Sequence, residues 1–374
     1  MKAVAIFPGT REVKLIDVPE PRITRPTDVR VRILEIGICG TDKELCQFKY
    51  GTPPAGADHL VIGHESLGAV VEIGADVTRV AVGDLVVPMV RRPCEHADCV
   101  ACSAGRQDFC YTNDYTERGI KERDGFMTEW VVDDERYMNV VPRALRDVGV
   151  LVEPLTIAEK ALTQVRQIQQ RLPWACPTTP GRRTDETDQC HRAVVLGAGP
   201  VGLLGAMALR ADGFETFVYS RGGADSPRGQ VVRAIGATFI EAETTTVAEL
   251  PGKVGAIDVV YEATGASPFA FEVLAGLGTN GIFVFTGVPG RRGPVQVDTD
   301  LLMRNLVLQN QVVLGSVNAS RADFEAAIRD LALFQERWPQ ALGALITGRF
   351  PIDDFAGQLL AQPADAIKNV LALS

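Results

Sequence analysis

The sequence predicts an α/β protein: a strand-rich, β-barrel-like unit followed by a parallel sheet covered by helices. Three observations carry this. Through about residue 140, short β-branched runs such as VRVRILEIG, AVVEIG, DLVVPMV and FMTEWVV are separated by Gly, Asp and Pro turns, a pattern of many strands and few helical periods. From about residue 191, apolar runs alternate with helical stretches, the order that builds a parallel sheet. The length of 374 residues, at ~150 residues per domain, corresponds to roughly two domains.

Within the second part, AVVLGAG, TFVYS, DVVYEATG, GIFVFTG and QVVLGS read as strands, with GLLGAMALRA, RGQVVRAIGA and PFAFEVLAGLG as helices between them. Near the end, ADFEAAIRDLALFQERW is an amphipathic helix and ITGRFPI a short strand. The stretch 171–192, RLPWACPTTPGRRTDETDQCHR, is rich in Pro, Thr and charge and reads as a linker. A net charge of −9, from 38 Lys and Arg against 47 Asp and Glu, argues against a nucleic-acid partner, which requires a basic face. With 46% hydrophobic and 23% charged residues, wholesale disorder is excluded. No apolar run is long enough to span a bilayer and the first residues lack a signal-peptide core, so no membrane partner is expected and the expected location is cytoplasmic.

The segment AVVLGAGPVG carries Gly197, Gly199 and Gly202 in GxGxxG spacing, between an apolar strand and a helix. Gly197 permits the tight turn, Gly199 lets a pyrophosphate approach the backbone, and Gly202 lets helix pack on strand. The helix N-terminus then directs its N–H groups at the phosphates. An NAD site usually carries an acid about 20 residues on. Here the next strand ends in Ser220, Arg221, Gly222 and Gly223, with no acid. Arg221 can pair with a 2′-phosphate, Ser220 can donate to it, and Arg228 is a further candidate. These features favour NADP, with NAD as a second option.

The eight cysteines are too few and too clustered for a disulfide framework on this length of chain. Cys94, Cys99, Cys102 and Cys110 fall within 17 residues, and four thiolates can close the tetrahedral shell of a structural zinc. His96 lies in the same loop and could replace one thiolate. A second, dispersed set comprises Cys39 in GICGTD, His64 and Glu65 in GHE, and Glu153 in VEP. One thiolate, one imidazole and carboxylates make a mixed shell that leaves a position open, as a catalytic zinc requires. Cys46, Cys176 and Cys190 have no assigned role.

GICGTD, GHE, the four-cysteine lobe, VGD at 82–84 and GAGPVG occur together and in order. In this the chain resembles the medium-chain zinc-dependent dehydrogenase/reductase superfamily. GRQDFC, ERGI, GFM, LVEPLTIAEKAL, RLPW, YEATG and GSVN make it most similar to the microbial glucose (aldose) 1-dehydrogenases. The resemblance implies a GroES-like β-barrel catalytic domain over 1–189 and 319–374, with a Rossmann doubly wound parallel sheet inserted at 190–318. It implies that Cys39, His64 and Glu153 ligate catalytic zinc, with Glu65 a direct or exchangeable ligand and Asp42 orienting His64. Thr41, Glu117, Glu153 and Asn318 would contact the sugar. Gly197, Gly199, Pro200, Val201, Gly202, Ser220, Arg221, Arg228, Thr264, Gly265, Gly287, Val288 and Asn318 would line the cofactor.

Two positions depart from relatives. Glu44 stands where alcohol dehydrogenases often carry a relay His, and Ile157 where some relatives carry a sugar-binding Asp. The implied activity is oxidation of glucose or a related aldose at C1 to the lactone, with hydride passing to NADP or NAD and two zinc ions per chain. The alternatives are a zinc polyol or secondary-alcohol dehydrogenase of the same superfamily and a non-catalytic NADP-binding protein. Relatives also imply a homo-oligomer, a dimer or tetramer, with QVVLGS as an edge strand.

Overall fold

The computed structural model describes residues 1–172, 191–290, 293–361 and 365–373, and all counts below refer to these. Cys176, Cys190 and most of the expected linker lie outside the described residues. By packing, the chain forms two compact units: Met1–Thr156 with Asn318–Glu336 and Leu345–Ser374, and Ile157–Val317 with Arg337–Ala344.

The first unit grows from strand alternation. β1 (Lys2–Phe7) and β2 (Glu12–Asp17) pair antiparallel. In β3 (Asp28–Gly37), Val29, Val31 and Ile33 are buried while Arg32 is exposed, the period of two that puts alternate residues on one face. The chain continues through α1 (Gly40–Cys46), β4 (Leu60–Val61), β5 (Glu65–Ile73), β6 (Leu85–Pro88) and β7 (Arg91–Arg92). Then come α2 (Val100–Ser103), β8 (Thr116–Arg118), β9 (Glu122–Arg123), β10 (Trp130–Asp134) and β11 (Met138–Val141). Ile6, Ile33, Ile36, Leu60, Phe126 and Met127 are fully buried in the core. Each such side chain contributes ~1.5–3 kcal/mol through loss of apolar surface to water. Charge inside this unit is paired: Arg92 and Arg118 both donate to Asp133 Oδ2, at 2.6 and 2.5 Å.

From α3 (Val152–Gln169) the chain enters the second unit. Its elements are β12 (Arg192–Leu196), α4 (Pro200–Ala211), β13 (Glu215–Ser220), α5 (Pro227–Ala234) and β14 (Thr238–Glu241). They are followed by α6 (Leu250–Val254), β15 (Val259–Glu262), α7 (Ser267–Leu274), β16 (Ile282–Phe285), α8 (Thr299–Leu308) and β17 (Val312–Gly315). The sheet order is β14-β13-β12-β15-β16-β17, all parallel. Renumbered within the sheet this is 3-2-1-4-5-6, the doubly wound order of the Rossmann fold. The chain then returns to the first unit through α9 (Arg321–Arg337), with α10 (Pro339–Ala344) packing on the second. It ends with β18 (Ile346–Pro351), α11 (Phe355–Leu359) and β19 (Lys368–Ala372). β19 lies antiparallel against β3, with Val370 opposite Gly37, so the last strand enters the middle of the first unit's large sheet, order β11-β6-β5-β3-β19-β18.

The α/β class and the strands and helices read from the pattern are present. Among the described residues seven helices (α1, α2, α3, α6, α8, α10 and α11) and one Rossmann strand (β14) had not been anticipated. β14 is the four-residue run TFIE, too short and too polar to stand out. α3 begins inside the VEP segment, where Pro154 is tolerated in the first turn because its missing N–H would be unsatisfied there anyway. α8 buries none of its residues.

Candidate active site

The first site is built where β3 gives way to α1. Cys39 is the N-cap of α1, in extended backbone, and its N–H donates to Asp42 Oδ2 at 2.8 Å. Asp42 is fully buried, and its other oxygen faces His64 Nδ1 at 3.4 Å. Neither Asp42 Oδ1 nor His64 Nδ1 makes a directed hydrogen bond among the described residues. With Nδ1 turned to Asp42, Nε2 is the ring nitrogen available to a metal. Ligand atoms of Cys39, His64 and Glu65 all lie within 4.8 Å of one another. Burial pushes the His64 pKa down, but Asp42 and Cys39 outweigh it and hold the imidazole well above its ordinary range.

Lys368, on β19, completes this pocket. Its ammonium donates to Glu65 Oε2 at 2.5 Å and to the Ile38 carbonyl at 3.0 Å, and both Glu65 and Lys368 side chains are 1% exposed. Gly37 stands where a Cβ would strike Glu65 Oε2, so a side chain there would displace the carboxylate. Glu153, in the first turn of α3, is buried but outside the group of three. Burial, and next the charge of Glu65, raise its pKa to about 7 against the opposing pull of His64 and Lys368. Thr41 lies in α1, two residues after Cys39. Sequence reading missed Lys368; a lone lysine in the apolar run KNVLA was its only signal.

Glu117 and Asn318 meet directly: Asn318 Nδ2 donates to Glu117 Oε1 at 3.0 Å. Arg91, opposite Glu117 in the β7–β8 register, donates to the same oxygen from Nε at 3.0 Å and Nη2 at 2.9 Å. Arg91 also stacks on Tyr115, its guanidinium carbon 3.6 Å from the ring centroid. Arg91, 4% exposed, was not anticipated either.

The four-cysteine lobe is compact, with the sulfurs of Cys94, Cys99, Cys102 and Cys110 within 4.8 Å of one another. Burial pushes Cys110 up, but hydrogen bonds from Thr112 outweigh it and bring its pKa to about 6. The Cys102 and Tyr111 backbone N–H groups lower Cys99. Thiolates are the metal-binding form. His96 points away from this set, pairing with Asp114 at 2.6 Å.

In the second unit, Gly197 has φ +98° in the turn after β12, Gly199 is the N-cap of α4 and Pro200 its first residue, with Val201 next. A Cβ on Gly202 would strike the Gly197 carbonyl, so this helix can pack only on a glycine. Ser220 Oγ accepts from Ala198 N at 3.2 Å, tying the end of β13 to that turn. Arg221 is exposed and Arg228 partly buried on α5. Glu262, 1% exposed at the end of β15, was not anticipated but organises two expected cofactor loops. Its Oε1 accepts from Thr264 N at 2.6 Å, Thr264 Oγ1 at 2.6 Å and Gly265 N at 2.8 Å, and Oε2 from Gly287 N at 3.2 Å. Val288 follows and is exposed.

A strand-rich unit with one mixed and one all-cysteine candidate metal set, in the same chain as a doubly wound sheet with a glycine turn after its first strand, defines the class of GroES-like/Rossmann dehydrogenases. Residues 25–143 match the family described as alcohol dehydrogenase GroES-like domain, and 146–373 the family described as glucose dehydrogenase C-terminus. The glucose 1-dehydrogenase of Methanocella arvoryzae is 38% identical over 355 residues, 95% of this chain and 94% of that protein. That of Thermoproteus tenax is 38% identical, covering 99% of each chain. The structure of Haloferax mediterranei glucose dehydrogenase in complex with NADP, Zn and gluconolactone aligns with a TM-score of 0.88 at 31% identity, covering 100% of this chain and 99% of that one. The chain belongs to the zinc-dependent medium-chain dehydrogenase family, in the branch that holds the glucose dehydrogenases.

Proposed function

We propose that this protein oxidises glucose or a related aldose at C1 to the lactone, with NADP as hydride acceptor and NAD as a second option. The observation that carries it is the Cys39–His64–Glu65 group, with His64 and Glu65 buried, in a chain that matches glucose 1-dehydrogenases along its length. The clustered thiol, imidazole and carboxylate donors of Cys39, His64 and Glu65, with His64 Nδ1 turned to Asp42, fit a catalytic zinc held by Cys39 and His64, with Glu65 and Glu153 as carboxylate ligands. A bound zinc lowers the pKa of a hydroxyl it polarises. The four-cysteine set fits a structural zinc.

The chain's own residues supply position. Asp42 faces His64 Nδ1 and would orient its ring, and Lys368 anchors Glu65 Oε2 in place. Thr41 would hydrogen-bond the reacting oxygen, and Glu117 and Asn318 would bind sugar hydroxyls. A site built for hydroxyls rejects analogues that lack them. With Glu44 in place of a relay histidine, the substrate proton leaves through water or a carboxylate. The 197–202 turn would receive the pyrophosphate and Arg221 a 2′-phosphate, and Glu262 sets the Thr264–Gly265 and Gly287 loops, which would hold the dinucleotide whose nicotinamide supplies hydride acceptance.

We further propose a homo-oligomer built on the β17 edge, because Leu301, Met303, Val307 and Leu308 of the neighbouring α8 are exposed; analytical ultracentrifugation tests it. Among the described residues no helix is long and apolar enough to cross a membrane. A cytoplasmic location is proposed, in keeping with cysteines that serve as zinc ligands rather than disulfide partners. A panel of aldoses, polyols and simple alcohols assayed with NADP and NAD, beside a metal count, tests the function. The expected result is aldose oxidation and two zinc ions per chain; oxidation of polyols alone would overturn it.

A further inference from the structure

The cofactor unit holds an acid where the second strand of the sheet ends without one. Ser220 closes β13 opposite Glu241 of β14, and Ala242 N donates to the Ser220 carbonyl at 2.9 Å. The chain then turns so that Glu243 reaches back across the strand end. Both its carboxylate oxygens accept from Gly222 N, at 3.0 and 3.2 Å. Glu241 Oε1 accepts from Ala224 N at 2.7 Å. The stretch after β13 is where a dinucleotide-binding sheet meets the adenosine ribose. Here it presents one exposed cation, Arg221, beside two carboxylates that cover backbone N–H groups.

These groups discriminate between the two cofactors. A 2′-phosphate carries close to two negative charges and seeks N–H donors and a cation. At Gly222 its donor is already bonded to a carboxylate, and the like charge repels it. A 2′-hydroxyl can instead donate to that carboxylate. We infer that Glu243 is a specificity-determining residue of the ribose site: it supplies, from the turn after the following strand, the acid that the β13 terminus lacks. It thereby admits NAD and holds NADP affinity below the level Arg221 would otherwise give. This rests on the dinucleotide-dependent reading proposed above.

The test is fluorescence titration of the full-length protein with NADPH and with NADH, for the wild type, Glu243→Gln, Glu243→Ala and Arg221→Ala. Glutamine keeps the side-chain size and an acceptor for Gly222 N–H but removes the charge. The expected result is that Glu243→Gln tightens NADPH about fivefold and leaves NADH equal or weaker, a gain that fades in about 1 M salt because exposed charges are screened. Arg221→Ala is expected to shift the NADPH/NADH ratio the opposite way. If both Glu243 variants keep that ratio within about twofold of wild type while Arg221→Ala moves it, the inference is overturned and the proposed function stands. If wild type binds neither nucleotide, the function itself is overturned and the inference with it.

Discussion

Replacing Glu262 with Gln should damage the second unit's stability and its nucleotide affinity together. The carboxylate accepts three bonds on Oε1 and one on Oε2, all from the Thr264–Gly265 and Gly287 loops. Glutamine has one acceptor oxygen, so its amide must face either Gly287 N–H or the Thr264 side. With the oxygen kept toward Thr264, three charge-assisted bonds become neutral and each loses about 1 kcal/mol. The Gly287 N–H is left facing another donor, at a cost of ~1–3 kcal/mol. The sum of about 4–6 kcal/mol is an upper bound, since bonds to one group are not additive and the loops can turn to water. A loss of about 3 kcal/mol is expected. Urea unfolding read by far-UV circular dichroism measures it, and NADPH titration should give an affinity weaker by about tenfold or more, the equivalent of ~1.4 kcal/mol. A variant with wild-type stability and wild-type NADPH affinity would refute the assignment of Glu262 as organiser of these loops.

Other outcomes follow from the same geometry. Burial pushes the Asp133 pKa up, but Arg118 and then Arg92 outweigh it and hold the carboxyl well below the usual range. A depressed pKa adds stability that is complete above the unfolded value of about 3.9 and fades as pH falls toward the folded value. Asp133→Asn should therefore cost ~3–5 kcal/mol near neutrality by leaving two buried guanidiniums uncompensated. It should also flatten the loss of stability below about pH 4, and an unchanged acid profile would contradict this. Cys94→Ser should bind one zinc instead of two, with NADPH affinity unchanged, as read by metal analysis and titration. Arg91→Met should raise KM for glucose by about tenfold or more, because Glu117 loses a charge-assisted partner. Arg91→Lys should restore part of it; an equal loss in kcat with KM constant would argue against a role in holding Glu117.

Local signals made much of this readable from residues alone. The strand–turn–helix context of Gly197, Gly199 and Gly202 and the spacing of Cys94 to Cys110 each bring groups together within a few turns of chain. Cys39 and His64 could be paired only because GICGTD and GHE resemble a known order. What escaped are partners joined by folding over long separations. Lys368 is 303 residues from Glu65, Arg91 26 from Glu117, and Glu243 21 from Gly222. None of these lies in a motif, and each charge would pass for a solvated one until strand pairing fixes its neighbour. Glu262 is nearest to legible, a single acid ending an apolar strand next to ATG.

The most direct test of the central claim is NADP reduction by glucose, with zinc content, for wild type and Cys39→Ser side by side. The account predicts that wild type forms NADPH and carries two zinc ions per chain. Cys39→Ser should carry one and lose about a thousandfold or more in turnover while still binding NADPH. Wild-type turnover in Cys39→Ser, or no NADPH formed by the wild type with any aldose, would contradict it.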